Sequence, residues 1–137
     1  MKTFQLEVVT PERKVYSDEA AMVIVKGVDG ELGILPDHVP FVTPLQIAPV
    51  TIKKSEGEEH VIAVNGGFIE VHKNKVSILA ESAELPEEID VDRAEAARER
   101  AEERLKKHKQ EEIDFRRAEL ALQRAMNRLR VAGRRGK

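Results

Sequence analysis

Six arginines in the C-terminal part of this 137-residue chain recur at helical intervals. Arg93, Arg100 and Arg104 are seven and four residues apart, and so are Arg117, Arg124 and Arg128. Both intervals return to the same face of a helix. Two such helices laid antiparallel would crowd several guanidiniums together. Their repulsion can be relieved by a bound polyanion, for which the planar guanidinium has the right geometry. It can equally be relieved by Glu95, Glu99, Glu103 and Glu119 in a solvated surface network. Spacing alone leaves both readings open. The stretch "EIDVDRA" (residues 88–94) sharpens the question. Asp90 is a good N-cap, and Glu87, Glu88 and Asp92 suit the positive end of a helix. Arg93 does not, because a cation in the first turn opposes the dipole where Glu or Gln would be usual.

Other chemistry finds little support. No GxxxxGK[ST] loop is present, so any nucleotide binding would not be of the P-loop kind. His38, His60, His72 and His108 are scattered without partners at metal-ligand spacing, so no metal site is expected. The chain has no cysteine, which excludes a disulfide framework and thiolate nucleophiles. No serine sits in a nucleophile elbow, and "NGG" at 65–67 reads as a turn rather than a phosphate cradle. Catalytic chemistry is therefore poorly supported. After Glu119 there are six basic residues and no acidic one. They suit a helix C-terminus and also an acidic partner. Nucleic acid is disfavoured, since this tail has no aromatic residue to stack on bases.

The elements that would position these groups fall into two halves. All six prolines and six of the eight glycines lie at or before Pro86, and neither residue occurs from Glu87 to Ala132. Residues 1–86 carry 8 basic and 13 acidic side chains, and residues 87–137 carry 15 and 12. Such shifts mark a boundary, giving a domain over 1–86 and another over 87–137. The first reads as short strands: "TFQLEVV" alternates with Phe4, Leu6 and Val8 on one face, and "AMVIV" suits a strand covered on both faces. "VTIKK" and "HVIAV" flank the polar "SEGEE", and "GFIEV" and "KVSILA" flank "HKNK", each as a hairpin. Frequent turns and short strands predict an antiparallel β-sandwich.

Residues 30–45, "GELGILPDHVPFVTPL", are the oddity. Pro36, Pro40 and Pro44 forbid a helix and are expected to interrupt any central strand. The segment is either an edge strand and turn tucked over the sandwich, or a proline-stiffened loop presenting apolar groups and His38 to a partner.

The second half reads as two helices. Val91, Ala94, Ala101 and Leu105, with Ala97 alongside, form one stripe. Phe115, Ala118, Leu122, Ala125, Leu129 and Ala132 form another. Small residues let the helices approach closely as an antiparallel hairpin. The polar "KKHKQEE" (106–112) between them contains no helix breaker, so the same stretch could form one continuous helix of roughly 70 Å. The fold class is therefore α+β: an N-terminal antiparallel β-sandwich followed by a C-terminal two-helix hairpin able to extend. The longest apolar run is far too short to cross a bilayer, and the N-terminus lacks a signal-peptide core.

The stretches "VVTPERKVYSDEAAMVIVKGVDGELGILPDHVPFVTPL", "VNGGFIEV" and "ILAESAE", followed by the Ala/Arg/Glu-rich hairpin, resemble in order the epsilon subunit of bacterial F-type ATP synthase. The resemblance implies a ten-stranded sandwich that binds the gamma subunit and rests on the c-ring. Glu31, Leu32, Gly33 and His38 would be the ring contacts. It implies a rotor subunit of the central stalk that couples proton flow to ATP synthesis, on the cytoplasmic face of the cell membrane and peripheral to it. The membrane would be reached only through the complex. Its helices would extend to inhibit ATP hydrolysis, with Arg124, Arg128, Arg130, Arg134 and Arg135 meeting an acidic segment of beta, alongside alpha. In members whose folded hairpin binds regulatory ATP, alone or with Mg2+, the motif is I/L-D-x-x-R-A. Here it corresponds to Ile89, Asp90, Arg93 and Ala94, joined by Glu84, Arg100, Arg124 and Arg128. The alternative is a stand-alone protein-binding adaptor built from a sandwich and a hairpin.

Overall fold

The computed structural model describes residues 2–107 and 112–133. The centre of "KKHKQEE", including His108, and the terminal Arg134 and Arg135 lie outside the described residues. Eight strands precede two helices: β1 (Phe4–Val9), β2 (Lys14–Ala20), β3 (Met22–Gly27), β4 (Gly30–Ile34), β5 (Phe41–Lys53), β6 (Glu59–His72), β7 (Lys75–Ala80), β8 (Ala83–Glu84), α1 (Val91–Lys107) and α2 (Glu112–Ala132). The strands are joined in the order β2-β1-β7-β6-β5-β3-β4, with β8 also on β6. All pairings are antiparallel except β1 with β7. Those two strands are far apart in sequence, so no hairpin dictates their relative direction.

The sheet closes over one core. Leu6 and Val8 of β1, Val23 and Val25 of β3, Ile52 of β5, Ile62 and Ile69 of β6 and Ile78 of β7 all bury their side chains in the same cluster. This requires β5 and β6, of 13 and 14 residues, to pass through both layers. Residues 67–72 of β6 pair with β7, whereas Ala63 and Val64 pair with β8. Eight strands are found where the resemblance implied ten.

The crossing point corrects the reading of "NGG" as a turn. Asn65, Gly66 and Gly67 lie inside β6, where Gly66 and Gly67 have φ of 85° and 128°. A Cβ on Gly67 would lie 2.1 Å from the Leu79 carbonyl oxygen. The glycines bend a strand and let β7 approach, rather than ending the strand. The prolines require a second correction. Pro44 and Pro49 lie within β5, a central strand. They pair with Phe68 and Ala63 of β6, but neither has a partner in β3: Pro49 faces the interruption between Ile24 and Gly27, and Pro44 lies beyond the Gly27–Leu45 pair that ends that ladder. A missing N–H on that side breaks no ladder bond.

The helices form a folded hairpin. Ala94 and Ala101 of α1 and Ala118 and Ala125 of α2 are buried, as the alanine stripes predict, while Val91 and Phe115 at the stripe ends stay exposed. The outer face of α2 lies against β5 and β6. There Val131 packs with Val61, Ala63 and Ile89.

Candidate functional site

The last strand, the linker and both helices meet at one cleft. β8 ends at Glu84, and Pro86–Glu88 makes a single 3-10 turn. The Glu88 carboxylate closes that turn by accepting from the Leu85 N–H at 2.9 Å. Asp90 then caps α1, its Oδ1 accepting from the Arg93 N–H at 3.1 Å, so the predicted N-cap is present. The C-terminal half of α2 returns beside the start of α1, which makes the hairpin antiparallel. Together these elements enclose a cleft of about 330 Å3 lined by Glu84, Glu88, Asp90, Arg93, Ala94, Ala97, Arg100 and Arg128. That volume is at the lower end of small-molecule sites, roughly 300–1,000 Å3.

Electrostatics distinguish the cleft from an ordinary charged surface. The glutamates do neutralise some cations: Glu95 pairs with Arg98, Glu103 with Lys107 and Glu119 with Arg116. Arg128 donates its Nε to Glu84, joining α2 to β8 with both side chains about 70% shielded from solvent. The Arg93 and Arg100 guanidiniums have no hydrogen-bond or ion-pair partner among the described residues, the Arg93 bond to Asp90 being made by its backbone N–H. They are the two cations on this wall left to meet a ligand.

Six of the eight residues expected at a nucleotide site therefore line one cleft: Glu84, Asp90, Arg93, Ala94, Arg100 and Arg128. Two do not. The Ile89 side chain is buried in the α2–β6 interface, where it serves packing, and Arg124 is half-buried outside the cleft lining. Glu88 and Ala97 line the cleft unforeseen. In the sequence Glu88 reads only as a charge suiting the helix dipole. Asn127 was missed as well. It is 2% exposed and donates to the Val64 carbonyl and to Asn65 Oδ1, each at 3.1 Å, while Asn65 in turn donates to Ser82 Oγ at 3.0 Å. Its position four residues before the buried Val131, on one helical face, was the available signal.

The residues expected at a ring interface lie on and just after β4, the strand that ends the sheet path. Glu31, Leu32 and Gly33 belong to the edge strand β4, with Glu31 and Gly33 exposed. His38 follows in a turn, its ring against Phe41 and its Nδ1 2.8 Å from the Val39 carbonyl oxygen. Within this segment Ile34 is buried in the core, as for an edge strand tucked over the sandwich, whereas Leu35, Val39 and Val42 are exposed. Of the cations expected to meet beta, Arg128 is engaged with Glu84 and Arg130 is exposed. No helix among the described residues is long and apolar enough to cross a membrane.

Comparison with known proteins agrees with this organisation. Residues 3–86 match the family "ATP synthase, Delta/Epsilon chain, beta-sandwich domain". Residues 87–133 match "ATP synthase, Delta/Epsilon chain, long alpha-helix domain". An ATP synthase epsilon chain of Halalkalibacterium halodurans is 58% identical over 98% of this chain and 100% of its own length. One from Brevibacillus brevis is 61% identical over 77% of this chain and 80% of its own. Among solved structures, a chain of the Euglena gracilis mitochondrial ATP synthase assembly of OSCP, F1 and c-ring superposes with a TM-score of 0.79 at 23% identity. That superposition covers 95% of this chain and 81% of the other. Two family matches that together span nearly the whole chain, and a full-length relative at this identity, establish that the chain belongs to the epsilon-subunit family of F-type ATP synthases.

Proposed function

We propose that the chain is a non-catalytic regulatory and coupling subunit of the rotor, and that its folded hairpin holds ATP. The observation that carries the nucleotide reading is the composition of the cleft. Its walls come from β8, the linker, α1 and α2, and Arg93 and Arg100 face it without partners. Asp90 and Arg93 would meet the adenine and ribose end, and Arg100 and Arg128 the phosphates. The cleft is completed only when α2 lies against α1. A ligand held there stabilises the folded hairpin by mass action, by about 2.7 kcal/mol at a hundredfold excess over Kd. Falling ATP would release the helices to extend along the stalk, where Arg124, Arg128, Arg130, Arg134 and Arg135 meet the acidic segment of beta and block hydrolysis. Arg128 cannot serve both states at once, which makes the two uses exclusive.

The sandwich supplies the docking surfaces. Pro44, Phe68 and Leu79 are register partners across β5, β6 and β7, and Phe68 and Leu79 are each 49% exposed. Such an apolar row on an outer sheet face suits the gamma subunit. Glu31, Leu32, Gly33 and His38, with exposed Leu35 and Val39, suit the c-ring. On this reading the chain works at the cytoplasmic face of the membrane, peripheral to it through the complex.

The test is calorimetric titration of ATP into the full chain beside the Asp90→Ala/Arg93→Ala double variant. Saturable binding that the variant loses supports the reading. No wild-type binding at millimolar ATP overturns it and returns the stretch to a helix cap.

A further inference from the structure

We propose that Arg13, which lies outside the cleft in the connection between β1 and β2, is a positioning residue for anion binding because it neutralises Glu88 from behind. The proposal rests on the nucleotide reading above. Its starting point is the charge of the cleft wall. Three carboxylates and three arginines line it, so the lining alone has no excess of positive charge. Glu84 is occupied by Arg128. Asp90 is committed to the helix cap. Glu88 remains, and an unmasked carboxylate there would repel a phosphate.

Arg13 prevents this. Its Nη2 donates to Glu88 Oε1 at 2.9 Å, on the same oxygen that takes the Leu85 N–H. The guanidinium thus holds the carboxylate against the 3-10 turn. It also keeps the carboxyl below its ordinary range, together with the Leu85 N–H. The field of Arg13 extends to Glu84. Counted with Arg13, the cleft has four cations against three anions. The arginine that makes the cleft attractive to an anion is therefore one that no ligand needs to touch.

Two roles for Arg13 predict different results. If it only props the turn mechanically, its loss displaces Asp90 and the α1 N-terminus and weakens every ligand alike. If it masks charge, its loss weakens ligands in proportion to their negative charge and is reversed by neutralising Glu88. ATP and adenosine are therefore titrated by calorimetry into the full chain and into Arg13→Ala, Glu88→Gln and Arg13→Ala/Glu88→Gln, with thermal melts alongside.

Arg13→Ala is expected to weaken ATP about tenfold, from exposure of one like charge near the phosphates. Adenosine affinity should be unchanged. Glu88→Gln should bind ATP at least as tightly as wild type, because the amide oxygen still accepts from Leu85. The double variant should match Glu88→Gln. A double variant as weak as Arg13→Ala, an equal loss for adenosine, or no effect of Arg13→Ala would each overturn the charge-masking role. Failure of the wild type to bind ATP would overturn the cleft reading itself, and this proposal with it.

Discussion

Asn127 is the residue whose replacement should report most directly on how the hairpin is held. It is one of two polar residues buried among those described, the other being its partner Asn65. Its amide gives one hydrogen to the Val64 carbonyl and one to Asn65 Oδ1, across the interface between α2 and β6. Asn127→Ala leaves both acceptors buried without those donors, at about 1–3 kcal/mol for each unsatisfied group. Part of this is offset, because Asn127 Oδ1 is itself buried without a partner among the described residues and disappears with the substitution. The net loss should be about 2 kcal/mol, or roughly thirtyfold in the equilibrium between docked and undocked α2. The assay is amide hydrogen exchange, which separates opening of α2 alone from unfolding of the sandwich. Protection in α2 should fall about thirtyfold while that of β1, β6 and β7 stays within a factor of two or so. Asn127→Asp should lose more at neutral pH, since a carboxylate would face two oxygen acceptors, and should partly recover in acid. Unchanged protection of α2 in Asn127→Ala, or an equal fall across the sandwich, would refute the argument that this amide fixes the helix to the sheet.

Four further outcomes follow from particular contacts. Gly67→Ala forces a Cβ into the Leu79 carbonyl at a φ of 128°, and should cost about 3 kcal/mol or more in chemical denaturation of the sandwich. Arg100→Ala removes an exposed side chain without ion-pair partners, so ATP binding should weaken about tenfold by calorimetry while stability stays within about 0.5 kcal/mol. Phe68→Glu should leave the melt of the isolated chain unchanged but abolish co-purification with gamma, since Phe68 is half-exposed on the sheet. Acid should destabilise the fold. Lys14 and Lys75 lower the pKa of Glu7, Lys54 and the Glu19 N–H that of Asp18, and Arg13 and the Leu85 N–H that of Glu88. Each contributes stability that is full above its ordinary value, 4.5 for the glutamates and 3.8 for Asp18, and is lost as pH falls through the lowered one. Thermal melts from pH 7 to 3 should show a falling Tm, and a rise in Tm on acidification would contradict these pairings.

What the sequence made legible was what periodicity encodes. Phe4, Leu6 and Val8 alternate and are buried, the alanine stripes meet, and Asp90 caps the helix they begin. Arg93 was legible as a cation set against the helix dipole, but spacing left an anion site open, and Glu84, Ala94, Arg100 and Arg128 were joined to it only by the family resemblance. What was misread depended on long-range pairing. "NGG" carries the same local signal whether it ends a strand or bends one, and only the approach of Leu79 decides between them. Pro44 looks like a strand breaker until it is known that the β3 ladder ends at the neighbouring Gly27–Leu45 pair. Ile89 fits a ligand motif by identity, yet its side chain is taken by Val61, Ala63 and Val131. Neither the Arg13–Glu88 pair nor the Asn127–Asn65 contact could be read from local sequence, because their partners are 75 and 62 residues apart.

These contacts bear on how the hairpin is closed. The α1–α2 seam is built on Ala94, Ala101, Ala118 and Ala125, and alanine removes little apolar area from water. The seam therefore permits close approach but contributes only modestly to closure. On the sheet side, α2 is fixed by consecutive polar residues, Asn127 to β6 and Arg128 to β8. A seam of leucines would keep the hairpin shut whatever occupied the cleft. Polar anchors next to a weak seam make closure depend on which partner Arg128 has. In the folded chain that partner is Glu84, and a phosphate entering the cleft must share or take the same guanidinium. A ligand that holds Arg128 as Glu84 does, while also engaging the unpaired Arg93 and Arg100, ties both helices to one molecule. Without that ligand the Glu84 pair, the amide of Asn127 and the small apolar patch around Val131 hold α2 to the sandwich, a narrow margin that would suit the release proposed above.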